Sequence, residues 1–336
     1  MEVSQIVIKN IIMHILDANV GMPILSNWQH PDTDEIYEFL EIHISKLLKD
    51  QNLKPATFNR EQNPVCNYAE ELGQTRNAFV QYTGEMAKLV YDIIIKNPEI
   101  PSADLVFCIF EVEQQSFMAI LKFNYRYSYI HYTEDGEEGR VNSIIKQKTA
   151  LPNDSQKVDE GAIINLENMH IQLLEKEYEI NGEKQFYFSR LFLKCNSRQS
   201  DIEKAKNFKK VTESFNKKYF NQDMQISDGF GKEVLKSIEE TGNIDIPQIT
   251  EKVFKDNEEM KEMYIDYIEK AGFIEDHVEI KEDVVRKVFN KRKIKTDNGI
   301  EINLSLEQEN DNLEFVNNYD GTITIIIKNV NSISYK

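Results

Sequence analysis

The chain has 336 residues, 40% of them hydrophobic and 29% charged, with a formal net charge of −17. That length exceeds what one hydrophobic core usually organises, so two domains are expected; the charge excludes a protein that coats DNA with its whole surface, because phosphate contact needs clustered Lys and Arg. Three cysteines, Cys66, Cys108 and Cys195, are odd in number and form no CxxC pair, which fits free, buried thiols in a reducing cytoplasm.

At the start, Met1-Glu2-Val3-Ser4-Gln5 lacks the basic flank of a signal peptide. No apolar run approaches the roughly 20 residues of a spanning helix, so no membrane partner is expected. Residues 3–16 read as a strand or strand pair, closed by a turn at Gly21-Met22-Pro23. Asp32-Thr33-Asp34-Glu35 has the form of a capping box. Behind it Ile36, Phe39, Leu40, Ile44, Leu47 and Leu48 repeat at helical spacing to about Lys49, with His43 on the same stripe as a packing residue. Residues 50–74, with Pro55, Pro64 and Gly73, read as a loop. A second helix carries Phe79, Tyr82, Met86, Leu89, Val90 and Ile93 and stops at Asn97-Pro98.

Strands follow at Asp104 to Phe110, at Phe117 to Phe123 and, after an acidic loop over 134–139, at Val141 to Ala150. Tyr125, Tyr127 and Tyr129 alternate with Arg126 and Ser128, which puts three rings on one face. Packing under a helix is the expectation; stacking against single-stranded bases is the competing use. The most strongly specified stretch is 169–195. Its Asn181-Gly182 pair predicts a two-residue hairpin turn with Ile180 opposite Glu183 and Glu179 opposite Lys184. The returning run from Gln185 to Lys194 is apolar on both faces and is expected as a strand inside the sheet. Residues 1–197 therefore read as an N-terminal α+β domain, a mainly antiparallel sheet with two packed helices.

Residues 198–336 read as a helical domain with terminal β-hairpins. Ala205, Phe208, Thr212, Phe215 and Tyr219 form the buried face of a helix over 201–220, with Lys206, Lys209, Lys210 and Lys217 roughly opposite. A short helix around 232–240 ends at Thr241-Gly242. Pro247 opens another to about Phe254, Asp256-Asn257 caps one over 258–271, and 283–290 forms a fourth. Asp297-Asn298-Gly299 and Asp320-Gly321 turn two hairpins. A winged-helix reading of 228–306 meets an objection in its would-be recognition helix, where Glu258, Glu259, Glu262, Asp266 and Glu269 outnumber Lys261 and Lys270.

No phosphate-binding glycine loop, HExxH or nucleophile elbow occurs, and the six histidines show no ligand spacing, so no cofactor, metal or catalytic residue is assigned. Asp104, Glu111, Glu113 and Lys122 faintly suggest a restriction-type nuclease, but the position two after Glu111 is Glu113 rather than Lys. The stronger signal is basic. Residues 1–200 carry 19 basic against 29 acidic side chains, and residues 201–336 carry 21 against 28, so any nucleic-acid surface must be local. The second cluster after the helical lysines is Arg286, Lys287, Lys291, Arg292, Lys293 and Lys295. Together the two clusters are expected to form one phosphate-contacting strip.

Gly161-Ala162-Ile163-Ile164-Asn165-Leu166, the hairpin ending Phe192-Leu193-Lys194, the long amphipathic helix after it and the closing strands at 300–304 and 321–325 follow one another in an order that resembles the bacterial nucleoid-associated protein family. Members often have Gly after Phe-Leu-Lys; here the residue is Cys195. The resemblance implies a cytoplasmic, nucleoid location and association with chromosomal DNA; the basic strip is expected to bind DNA, double-stranded, with little sequence preference. It names no base-reading residue. The rival is an acidic protein-binding module that reaches the nucleoid through a protein partner; homo-oligomers are compatible with either.

Overall fold

The computed structural model describes residues 6–31, 33–136, 139–147, 151–221, 223–305 and 313–332. The chain forms two compact units, Met1–Ser200 and Asp201–Lys336, and its architecture is α+β.

The first unit runs β1 (Val7–Leu16), α1 (Asp34–Leu48), β2 (Lys54–Phe58), α2 (Pro64–Gln74), α3 (Phe79–Lys96), β3 (Ala103–Val112), β4 (Gln115–Asn124), β5 (Ser128–Gly136), β6 (Gly139–Gln147), β7 (Glu160–Asn165), β8 (His170–Leu174), β9 (Tyr178–Ile180), β10 (Glu183–Gln185), a π-helical turn (Phe188–Leu193) and β11 (Cys195–Ser197). Seven strands form an antiparallel sheet in the order β1-β3-β4-β7-β8-β2-β11. Helices cover both faces. Leu105, Phe107 and Ile109 of β3 join α2 and α3 in one core, while Val106, Cys108 and Phe110 join α1 in another. That double cover explains why β3 is a continuous apolar run. Gly161 permits α1's close approach, since a Cβ there would lie 2.9 Å from the Ile120 carbonyl oxygen and 3.2 Å from Leu47.

Several expectations need correction. Residues 50–74 are not a loop: they supply β2 and α2. Pro64 occupies the first helical position, where its missing N–H costs nothing, and Asn63 caps the helix by accepting the Cys66 N–H at 3.2 Å. The sheet is thus packed by three helices rather than two. Thr33 holds the N-cap position of α1, but its side chain makes no capping bond. The early strand is single, with a register shift between Ile8 and Asn10.

The Asn181-Gly182 turn has both residues at positive φ, with Ile180 opposite Glu183 and Glu179 opposite Lys184 as expected. Its strands are only three residues long and form a ribbon of their own. The returning run is not a strand. Phe188 and Phe192, four residues apart with ring centroids at 5.2 Å, belong to the π-helical turn, which is buried against the α2–α3 face. Lys194 ends it in the left-handed region at φ 47°. Cys195 is buried in β11, where desolvation pushes its thiol up to about 12.

The tyrosine ladder also fails as expected. β5 begins only at Ser128, so Tyr125 and Tyr127 precede it, and Tyr127 and Tyr129 are 62% and 69% exposed rather than packed under a helix. The stretch 134–136, expected in a loop, belongs to β5, which pairs with β6 as a separate two-stranded ribbon.

The second unit contains α4 (Asp201–Phe220), α5 (Met224–Thr241), β12 (Ile244–Asp245), α6 (Ile246–Phe254), α7 (Glu258–Lys270), β13 (His277–Val278), α8 (Glu282–Phe289), β14 (Lys291–Lys295), β15 (Glu301–Ser305), β16 (Leu313–Asn317) and β17 (Ile323–Ile327). α5 is longer than the short helix expected. Ala205, Phe208 and Phe215 of α4 meet Phe230, Phe254, Tyr264 and Phe289 in one aromatic core. Tyr264 is fully buried, and its hydroxyl lies 2.9 Å from Thr212 Oγ1. Two antiparallel hairpins, β14–β15 and β16–β17, close the chain.

Candidate nucleic-acid interface

α4 presents Lys206, Lys210 and Lys217 to solvent. Their spacing of four and seven residues puts them in one row, which spans about 16 Å at the helical rise. Lys209 lies one step round the helix and behaves differently. Its amine donates to the carbonyl oxygens of Val288 at 2.9 Å and Lys291 at 3.1 Å, and sits 5.8 Å from the Phe289 ring centroid. Burial there holds its pKa below the usual lysine value, with the carboxylate of Glu213 acting in the opposite sense. Lys209 is therefore a clamp that joins α4 to the junction of α8 and β14, and the expectation that it faces outward is corrected. Its stem follows the apolar core surface while its head satisfies the Val288 carbonyl near the end of α8 and the Lys291 carbonyl at the start of β14.

The same two bonds set α4 against the main chain where the second cluster passes from α8 to β14. On β14, Lys291, Lys293 and Lys295 alternate onto one face, and Lys291 and Lys295 are exposed. Lys293 is tied to Glu301 at 2.8 Å. Arg286 is held by Glu239 at 2.6 Å and Glu282 at 2.9 Å, so its charge is largely spent inside the unit. Lys287 is exposed on the last turn of α8. Arg292 lies opposite Leu304 in the backbone register; its side chain is outside the described residues. Among the described residues, Lys206, Lys210, Lys217, Lys291 and Lys295 make no ion pair. Of the two expected clusters, these five are left to meet an external anion.

Sequence reasoning missed Lys218, the residue after Lys217. It lines a groove of about 590 Å³ between α4 and α7, with Lys210, Tyr219, Tyr267 and Lys270 among its other walls. The adjacency of Lys217 and Lys218 was the available signal. α7 itself offers little to a phosphate: Lys261 is held by Glu251 and Glu258, both at 2.7 Å, and Lys270 by Asp266 at 2.6 Å.

The nuclease constellation is not assembled. Asp104 and Glu111 lie seven residues apart on β3, roughly 23 Å along an extended strand, too far to share a metal ion. Lys122 is turned into a fully buried ion pair with Glu160 at 3.0 Å, and Glu160 also accepts the Tyr187 hydroxyl at 2.7 Å. Glu111 pairs with Lys9 at 3.1 Å. Among the described residues no group of three or more His, Cys, Asp or Glu side chains is placed to hold a metal, and no helix is long and apolar enough to cross a membrane.

The family model described as nucleoid-associated protein YejK matches residues 12–334, nearly the whole chain. The chain belongs to this family. The match to the nucleoid-associated YejK family extends across both units. Among curated proteins, none matches the chain.

Proposed function

We propose that this member of the nucleoid-associated family contacts DNA directly, in the cytoplasm and on the nucleoid, through a local lysine strip on its second unit. Lys206, Lys210 and Lys217 supply one row and Lys291 and Lys295 the other, with Lys287 and Arg292 as neighbours. The single observation that supports the reading is the Lys209 clamp, which ties α4 to the main chain of Val288 and Lys291, where the second cluster begins. Lysines on a helix face and a ribbon neutralise phosphates without reading base edges, so binding is to duplex DNA with little sequence preference. The function assigned is architectural, with no catalytic step.

The net charge of −17 favours a second reading, in which a partner protein brings the chain to the nucleoid. Electrophoretic mobility shift of the full chain on a short duplex separates the two. Direct contact gives a shift at low salt that fades at moderate salt. No shift at low salt, with a partner retained from nuclease-treated extract, supports the rival.

A further inference from the structure

The groove between α4 and α7 is unlike the lysine strip beside it. Its floor is apolar, with Val211 from α4 and Met263 and Tyr267 from α7, and its charged rim is basic. Lys210 and Lys218 face it from α4. From α7 come Asp266 and Lys270, which neutralise one another at 2.6 Å. The net charge offered to an occupant is therefore that of Lys210 and Lys218, neither of which has a carboxylate partner among the described residues. In a unit with 28 acidic and 21 basic side chains, an apolar floor under two uncompensated lysines is selective for an anion that also carries apolar groups.

The geometry disfavours a nucleic acid there. A base needs a free aromatic face, but the Lys218 amine lies 4.8 Å from the Tyr219 centroid and 5.6 Å from the Tyr267 centroid. Those two rings stand at 86° with centroids 6.4 Å apart, so they form no parallel slot for a base. A duplex is too wide to enter a cleft between two helices. The α4 side of the groove extends from Asn207 to Lys218, about 16 Å at the helical rise, or three turns. That is the length over which a third helix packs against a helix pair, with anchors at i, i+3, i+4 and i+7.

We propose that this groove receives an acidic amphipathic helix of a partner protein, its apolar stripe on Val211 and Met263 and its carboxylates on Lys210 and Lys218. This second surface is distinct from the DNA strip apart from the shared Lys210. Lys218, already fixed over two rings, supplies charge without ordering a free side chain on binding.

The test is fluorescence anisotropy of the full chain with a labelled synthetic helix, leucines at helical spacing flanked by glutamates, against the same helix with lysines replacing the glutamates. The glutamate helix is expected to bind saturably and the lysine version not to bind. Lys218→Glu and Met263→Glu each weaken the glutamate helix roughly tenfold. Lys218→Gln, which keeps most of the stem, weakens it less and in the same direction. Lys206→Ala and Lys295→Ala leave it unchanged. Equal binding of both helices, binding of neither, or undiminished binding by Lys218→Glu would overturn the proposal. Loss of DNA binding in Lys206→Ala with peptide binding intact tells the two surfaces apart.

Discussion

The amine of Lys209 on α4 donates to the main-chain carbonyl of Lys291, the first residue of β14, at 3.1 Å. A lysine of the first expected cluster is thus bonded to the main chain of a lysine of the second, and its amine is given up to this contact. Its second acceptor, the Val288 carbonyl, lies near the end of α8, where helical carbonyls have no partner within the helix.

Replacing Lys209 with Met keeps the stem and removes the donor. A charge-assisted hydrogen bond to a carbonyl contributes about 1.5–3 kcal/mol, less where water can replace the amine. The expected cost is about 1–2 kcal/mol, read as a lower urea midpoint at unchanged slope. Lys206→Met, on the solvated row, shifts the midpoint by no more than about 0.5 kcal/mol.

Asn63 is a second clamp. Its side chain caps α2 through the Cys66 N–H and donates to the carbonyls of Asn59 at 2.8 Å and Leu193 at 2.9 Å, tying the helix start to the π-helical turn. Asn63→Ala removes the cap and leaves buried carbonyls unmatched, so a loss of about 2–3 kcal/mol in chemical denaturation is expected. Asn63→Asp retains the acceptor and not the donor, and falls between the two.

Asp104 gives a pH signature. It is buried, and desolvation, with a smaller effect from the Asp17 charge, raises its pKa from 3.8 to about 6. The folded state therefore holds this proton more tightly than the unfolded chain. Its contribution is fully present below about pH 3.8 and is lost as pH rises through about 6. Asp104→Asn should stabilise the protein at pH 7 by about 1–2 kcal/mol after allowance for solvent screening, and the gain should vanish near pH 4. Paired urea titrations at the two pH values check it.

Local chemistry made much of the fold legible. Asn181-Gly182 fixed its own register, because two adjacent residues at positive φ admit few alternatives. The stripe Ala205, Phe208, Thr212, Phe215 was visible in α4 because one face is buried and the other solvated. What misled was punctuation and density. Pro55 and Pro64 looked like loop markers, yet one sits in a strand and the other starts a helix. The run from Phe186 to Leu193 looked like an inner strand because apolar residues crowd it, whereas the spacing of Phe188 and Phe192 is that of a helical turn. In the candidate interface, Lys206, Lys210 and Lys217 were readable from the helical period. The engagement of Arg286 was not, because Glu239 lies 47 residues earlier and is brought to it only by the packing of α5 on α8. Lys209 was misread for a related reason: its Cα lies on the border of the buried face, where a flexible stem can send the amine inward.

The most direct test of a lysine strip on DNA is the salt dependence of duplex binding, measured by fluorescence anisotropy for the full chain and for a variant with Lys206, Lys210, Lys291 and Lys295 all changed to Ala. Each lysine that neutralises a phosphate contributes about 0.9 to the slope of log affinity against log salt. Direct contact predicts that the variant binds more weakly and that its slope is shallower by about 3–4. Unchanged affinity and unchanged slope would contradict it and leave the second unit's lysines without a role in contacting the chromosome.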